Sequence, residues 1–262
     1  MALAIDDRGS GDPLVLVHGL GTTRWIWEET SAQLSGLRRT LAPDLPGFGQ
    51  SAPVGPRFEI EAVADAIAEE AWRRTQGPFD LLGHSLGGAV ALTLASRQPD
   101  RVRRLILQAP AGFHPRPPRL AEGIAVLAPG ALAARRLLGG PVSKLDAGRR
   151  LLLWGAIHDP GRLTAEQVHR MLSASRGAVS LRDAARFAVA ADLAGTLRDT
   201  DVPVGFIWGD SDPLMRPGTQ EVLRTCRPQA PVGVIADAGH VAQLERPREF
   251  AAAVERLLVT VS

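Results

Sequence analysis

The sequence predicts an α/β fold, with a mostly parallel sheet covered by helices on both faces and a helical segment inserted late in the chain. Three observations predict it. Short continuous apolar runs alternate with longer segments of helical spacing, as in a sheet buried on both sides. That alternation stops over residues 112–200, where no strand pattern is found. The 262 residues, 45% of them hydrophobic, are enough for one domain with a large core, and such domains commonly reach about 250 residues.

In chain order, Leu14–Val17 is a buried strand bounded by Pro13 and Gly19, and Arg39–Ala42 is a weaker strand ending at Pro43. Ile60, Val63, Ile67 and Ala71 fall on one face of a helix. Phe79–Leu82 and Leu105–Leu107 are further strands, with a helical run from Ala89 to Arg97 between them. Pro115, Pro117 and Pro118 open the insertion, and Pro129, Gly130, Gly139, Gly140 and Pro141 cut it into short helices. Val204–Trp208 and Val232–Ile235 resume the strands. Phe250, Val254, Leu257 and Leu258 define a last helix, with Pro247 suited to its first turn.

Composition excludes several classes. The single cysteine, Cys226, rules out an internal disulfide framework and a cysteine-based metal cluster. No apolar run approaches the ~18 residues of a membrane span. The first residues lack the basic and apolar regions of a signal peptide, so a cytoplasmic location is expected. The pI of 9.4 is misleading. Lys144 is the only lysine and tyrosine is absent, so almost nothing titrates between neutral pH and the arginine range, and the formal charge is only +2. The arginines are dispersed among acids, a poor footprint for nucleic acid.

The strongest chemical signal is Gly83-His84-Ser85-Leu86-Gly87, directly after a strand and before a helix. A sharp strand-to-helix turn crowds the backbone, requires small neighbours and presents a serine hydroxyl above the sheet. Serine is a weak nucleophile near neutral pH and needs a base, which in turn needs an orienting acid. His240 follows the last strand and is the preferred base, because that loop lies at the sheet edge where Ser85 lies. Asp212, in Trp208-Gly209-Asp210-Ser211-Asp212-Pro213, is the preferred acid, with Asp210 as the alternative. His18-Gly19-Leu20-Gly21 offers a glycine-lined loop in which the Leu20 N–H could meet an oxyanion beside that of Leu86, and His18 is expected to tie the loop down. Asp44–Ser51 is expected to brace it. Gly47 and Gly49 lack the third glycine and the strong preceding strand of a dinucleotide site. Candidate pocket residues are Trp25 and Trp27 after the oxyanion loop, and His114 and Trp154 in the insertion.

These segments, in this order, resemble the α/β-hydrolase fold superfamily: H-G-x-G at 18–21, D-x-P-G-x-G-x-S at 44–51, G-H-S-x-G-G at 83–88, and the order Ser, Asp, His. The likeness runs from about Leu3 to Leu258. It implies a core of residues 1–111 and 201–262 carrying a helical lid, 112–200, and a sheet lacking one edge strand of the family's N-terminal hairpin. It further implies a cofactor-free serine hydrolase acting through an acyl-enzyme. The expected substrate is a small molecule with an apolar body: an ester, lactone or thioester. A serine nucleophile argues against dehalogenation and epoxide hydrolysis. Carbon–carbon hydrolysis of a β-diketone-like acid stays open, although Val241 stands where such relatives often carry tryptophan. A non-catalytic receptor or a cyclase on the same fold stays open too. The lid segment carries a formal charge of +6, which steers an acidic substrate if its arginines line the entrance.

Overall fold

The computed structural model describes residues 2–113 and 145–261. Seven strands form one sheet in the order β1-β3-β2-β4-β5-β6-β7. They are β1 (Ile5–Gly9), β2 (Asp12–Val17), β3 (Arg38–Pro43), β4 (Phe79–His84), β5 (Val102–Gln108), β6 (Val204–Gly209) and β7 (Val232–Ile235). Among the described strands only the edge strand β1 runs antiparallel, against β3; all other pairings are parallel.

The apolar runs are buried on both faces, and alternate residues divide between them. Val15, Val17, Leu81, Leu105, Leu107, Phe206 and Trp208 belong to one core cluster. Leu14, Leu16, Leu82, Ile106 and Ile207 belong to the other. This is the two-residue period of a strand, and it explains why the sequence shows unbroken apolar runs rather than polar alternation. The first face is covered by α2 (Ile60–Thr75) and α3 (Leu86–Arg97), through Ile67, Ala68, Val90 and Leu94. The second is covered by α1 (Glu28–Leu34) and the C-terminal helix Pro247–Thr260. There Trp27 is fully buried against Phe250, ring centroids 6.2 Å apart.

Between β5 and β6 the described residues are helical: α4 (Asp146–Leu152), α5 (Ala165–Ser173), α6 (Leu181–Ala190) and α7 (Ala194–Asp199). No strand occurs among the described residues of this stretch. Helix α5 starts on a capping box in which Thr164 Oγ1 accepts from Gln167 N and Gln167 Oε1 accepts from Thr164 N. Arg170 on α5 forms a two-pronged ion pair with Glu28 of α1, at 2.7 and 2.8 Å, and its guanidinium covers the Trp25 ring. After β6 come α8 (Pro217–Cys226), α9 (Ala242–Glu245) and α10 (Pro247–Thr260).

Because β2, β4, β6 and β7 are parallel, their carboxyl ends meet at one edge of the sheet. That edge is where ligands of open α/β sheets bind. At the opposite edge Arg38 joins Asp80 of β4, at 3.0 Å, to Glu255 of α10, at 2.9 Å. Asp80 is fully buried there, and its carboxyl is pushed above the usual range by burial against the pull of Arg103, Arg104 and Arg38.

Candidate active site

Ser85 occupies the single-residue turn between β4 and α3. Its backbone is left-handed, φ +53° and ψ −117°, a conformation that costs a non-glycine residue of order 1–3 kcal/mol. The neighbours hold it there. Ser85 N donates to Gln108 O on β5, at 2.9 Å, and Ser85 O accepts from Gly88 N and Ala111 N at 2.9 and 3.0 Å. A side chain at Gly83 would strike the Gly87 backbone, and one at Gly87 would strike the carbonyls of Val17 and His18. The flanking glycines are therefore demanded by close backbone approach, and the turn lifts Ser85 to the carboxyl edge.

His240 and Asp212 arrive from β7 and β6. The His240 Nδ1–H donates to Asp212 Oδ2 at 2.8 Å, and the carboxylate is completely shielded from solvent. The other oxygen, Asp212 Oδ1, accepts from Leu214 N at 2.8 Å and Met215 N at 3.3 Å. These bonds fix both the imidazole and the carboxylate. They leave His240 Nε2 as the ring nitrogen available to take a proton. Asp210 is exposed and accepts instead from the Ser211 hydroxyl at 2.9 Å.

Ser85 and His240 line one small cavity of about 100 Å³, together with Leu20 and, from the insertion, Leu153, Ala156 and Met171. Leu20 follows the loop held by Gly19 O, which accepts from Thr22 N and Thr22 Oγ1. Leu86 is the first residue of α3, where no carbonyl one turn earlier can receive its N–H. Among the described residues neither the Leu20 nor the Leu86 N–H has an acceptor.

The loop is braced as the sequence leads one to expect. Leu45 N–H donates to His18 Nε2 at 2.9 Å, so the proton sits on Nδ1, which donates to Gly19 O at 2.9 Å. Burial drives the His18 pKa down and keeps the ring neutral. Asp44 accepts from Arg24 N and Gln50 N, each at 2.8 Å, and pairs with the Arg24 guanidinium.

The remaining sequence candidates divide. Trp27 packs in the core, and Trp25 lines a separate outer groove of about 450 Å³ beneath Arg170; neither ring lines the cavity at Ser85. Trp154 is 80% exposed and turns away, while its neighbour Leu153 supplies the cavity wall. Helix α4 ends at Leu152, and both residues lie in the turn that follows it. His114 lies outside the described residues.

Two polar residues at the site were not singled out in the sequence. His84 is buried against His240, ring centroids 4.8 Å apart, and its Nε2–H donates to the His240 carbonyl at 3.0 Å. Burial first, and then the neighbouring His240, hold its pKa well below the ordinary histidine value. Glu245 is buried just beyond His240 and accepts backbone N–H groups from two segments. The adjacency of His84 to Ser85 is visible in the sequence; its contact 156 residues away is not. Among the described residues no group of three or more His, Cys, Asp or Glu is placed to hold a metal ion, and no helix is long and apolar enough to cross a membrane.

This chain belongs to the alpha/beta hydrolase fold family, whose sequence profile matches residues 12–247. Among its relatives is a pimeloyl-[acyl-carrier protein] methyl ester esterase of Neisseria meningitidis serogroup C, 32% identical over 244 residues, 90% of each chain. A 2-hydroxy-6-oxo-2,4-heptadienoate hydrolase of Pseudomonas putida is 40% identical over 112 residues, 41% of each chain. Among solved structures, a thermophilic esterase from Thermogutta terrifontis superimposes with a TM-score of 0.77 at 26% identity, over 98% of this chain and 93% of that one. The named relatives are hydrolases, and ester hydrolysis is the activity most of these names share.

Proposed function

We propose that this protein is a serine esterase in which Ser85 is the nucleophile, His240 the general base and then acid, and Asp212 the residue that orients His240. One observation carries the reading. A serine in a strained strand-to-helix turn shares a cavity with a histidine whose far nitrogen is held by a buried carboxylate. In this reading His240 Nε2 removes the Ser85 proton as Oγ attacks the ester carbonyl. The N–H groups of Leu20 and Leu86 receive the negative oxygen. The imidazolium, stabilised by Asp212, then protonates the leaving alkoxide. Water, deprotonated by His240, attacks the acyl-enzyme and releases the acid. All these groups come from the chain itself.

The described part of the insertion acts as the lid in this account, since Leu153, Ala156 and Met171 form the apolar wall facing Ser85. That wall suits an ester with an apolar acyl or alkyl group. The Neisseria relative's name points to the methyl ester of an acyl chain on a carrier protein as the first substrate class to assay. A second reading, hydrolysis of a carbon–carbon bond in a ring-cleavage product, is favoured by the partial match to the Pseudomonas putida enzyme.

The deciding experiment measures kcat/KM over a panel of methyl and p-nitrophenyl esters of increasing acyl length, with a 2-hydroxy-6-oxo-dienoate as comparison. Turnover of esters by the purified protein, lost in Ser85→Ala, is expected. Turnover of the dienoate alone would replace the first reading by the second, and turnover of neither would remove both.

A further inference from the structure

The loop that carries His240 is fastened to the insertion on both sides of the histidine. Glu245, on α9 and only 5% exposed, is the main fastener. Its Oε1 accepts from Gly239 N at 2.7 Å, and its Oε2 accepts from His158 N at 3.0 Å and Asp159 N at 2.9 Å. On the other side of His240, Val241 N donates to Ala156 O at 3.1 Å. Arg162 adds a bond from Nη1 to Asp237 O at 3.1 Å. The junction is tight: a side chain at Gly239 would stand 2.7 Å from His158 N and 3.0 Å from Glu245 Oε1.

The segment bound this way also shapes the cavity, because Leu153 and Ala156 form part of its wall. A buried carboxylate taking three backbone N–H groups makes charge-assisted bonds, stronger than the carbonyl contacts that usually tie loops together. We propose that Glu245 is a positioning residue that couples the substrate-facing wall of the insertion to His240, so that what fills the cavity sets the alignment of the catalytic base. This inference rests on the serine-esterase reading. It makes substrate size a determinant of kcat as well as of KM, because the wall that meets the substrate and the loop that carries the base move as one unit.

Glu245→Gln tests it with little change of shape. The amide oxygen can serve the paired N–H groups of His158 and Asp159. Its NH2 then faces the Gly239 N–H, donor against donor, so the bond to the histidine loop is the one lost. Misplacing a catalytic group by about 1 Å can cost about 10²-fold in rate, so kcat is expected to fall by about ten- to a hundredfold while KM changes little. Glu255→Gln, which removes the Arg38 partner at the opposite edge of the sheet, is the control for loss of stability alone and is expected to keep wild-type kcat.

The coupling itself is read from a double-mutant cycle with Leu153→Ala, using one ester that wild type turns over. Coupled residues give non-additive losses, so the combined fall in kcat is expected to be smaller than the product of the single effects by about threefold or more. If Glu245→Gln does not fold, Arg162→Ala, on the surface of the same junction, takes its place in the cycle, with a smaller effect of the same sign. Wild-type kcat in folded Glu245→Gln, or a combined loss equal to the product, overturns the coupling and leaves the esterase reading standing. A wild-type protein that neither turns over esters nor reacts with a fluorophosphonate overturns the esterase reading and the coupling with it.

Discussion

Replacing Asp212 by asparagine should disable the protein by putting a proton on the wrong nitrogen of His240. In the native site Oδ1 is held by the N–H groups of Leu214 and Met215, and Oδ2 accepts from His240 Nδ1. An amide must keep its oxygen toward the two N–H donors, so its NH2 lands where Oδ2 was. That NH2 donates, and His240 Nδ1 must accept. The ring proton moves to Nε2, where it faces Ser85 and cannot remove a proton from it. A wrong tautomer of this kind costs about 10⁴ in kcat in serine hydrolases with intact geometry, or about 5.4 kcal/mol at 1.36 kcal/mol per tenfold. Asp210→Asn should stay within about twofold of wild type, because Asp210 is exposed and its carboxylate meets the Ser211 hydroxyl and the backbone at Asp237 and Ala238 rather than the His240 ring, and surface changes of that sort are usually small. The assay is kcat/KM on a p-nitrophenyl ester for both variants, each with its thermal melt. Asp212→Asn activity within tenfold of wild type, or a larger loss in Asp210→Asn, would refute the assignment of the acid.

His84→Leu should lower kcat by about three- to tenfold, the rate equivalent of one hydrogen bond, by freeing the His240 carbonyl, and His84→Gln, which keeps a donor near the Nε2 position, should recover most of it; equal rates in the two variants would remove that role. Stability should fall as the pH drops below about 6.5, the ordinary histidine pKa, because His18 and His84 are buried with depressed pKa values. The unfolded chain then binds protons that the folded chain refuses, and each such histidine contributes a slope of up to about 1.4 kcal/mol per pH unit until its folded pKa is reached. Urea unfolding at pH 7.5 and 5.5 reads this, and a flat profile counts against it. Trp27→Ala should cost about 3–5 kcal/mol, as for a large buried aromatic, whereas Trp154→Ala should stay within about 0.5 kcal/mol; urea midpoints compare the two.

The parallel strands and the Ser85 turn were legible in the sequence because their causes are local. Buried parallel strands need unbroken apolar runs, and a strained turn needs Gly83 and Gly87. Strand β1 was not legible. Its residues Ile5-Asp6-Asp7-Arg8-Gly9 are polar and partly exposed, and the antiparallel ladder to β3 makes it a strand, with no apolar face to announce it. The choice of Asp212 over Asp210 was a matter of turn position in the sequence, and the site adds the two N–H donors that hold the carboxylate. Trp154 is exposed and its neighbour Leu153 forms the wall, because an apolar cluster in a short segment does not say which of its members faces inward. His84 escaped because its partner is the His240 carbonyl, and Glu245 because two of its three donors, His158 and Asp159, come from the insertion; pairings over 80 or more residues leave no periodicity to read.

Fluorophosphonate labelling followed by peptide mass mapping of wild type, Ser85→Ala and His240→Ala reads whether Ser85 is an activated nucleophile. A single adduct is expected, on the peptide containing Ser85. It should be absent from a Ser85→Ala protein that melts like wild type, and formed far more slowly in His240→Ala. An adduct on another residue, or undiminished labelling of folded Ser85→Ala, would contradict it.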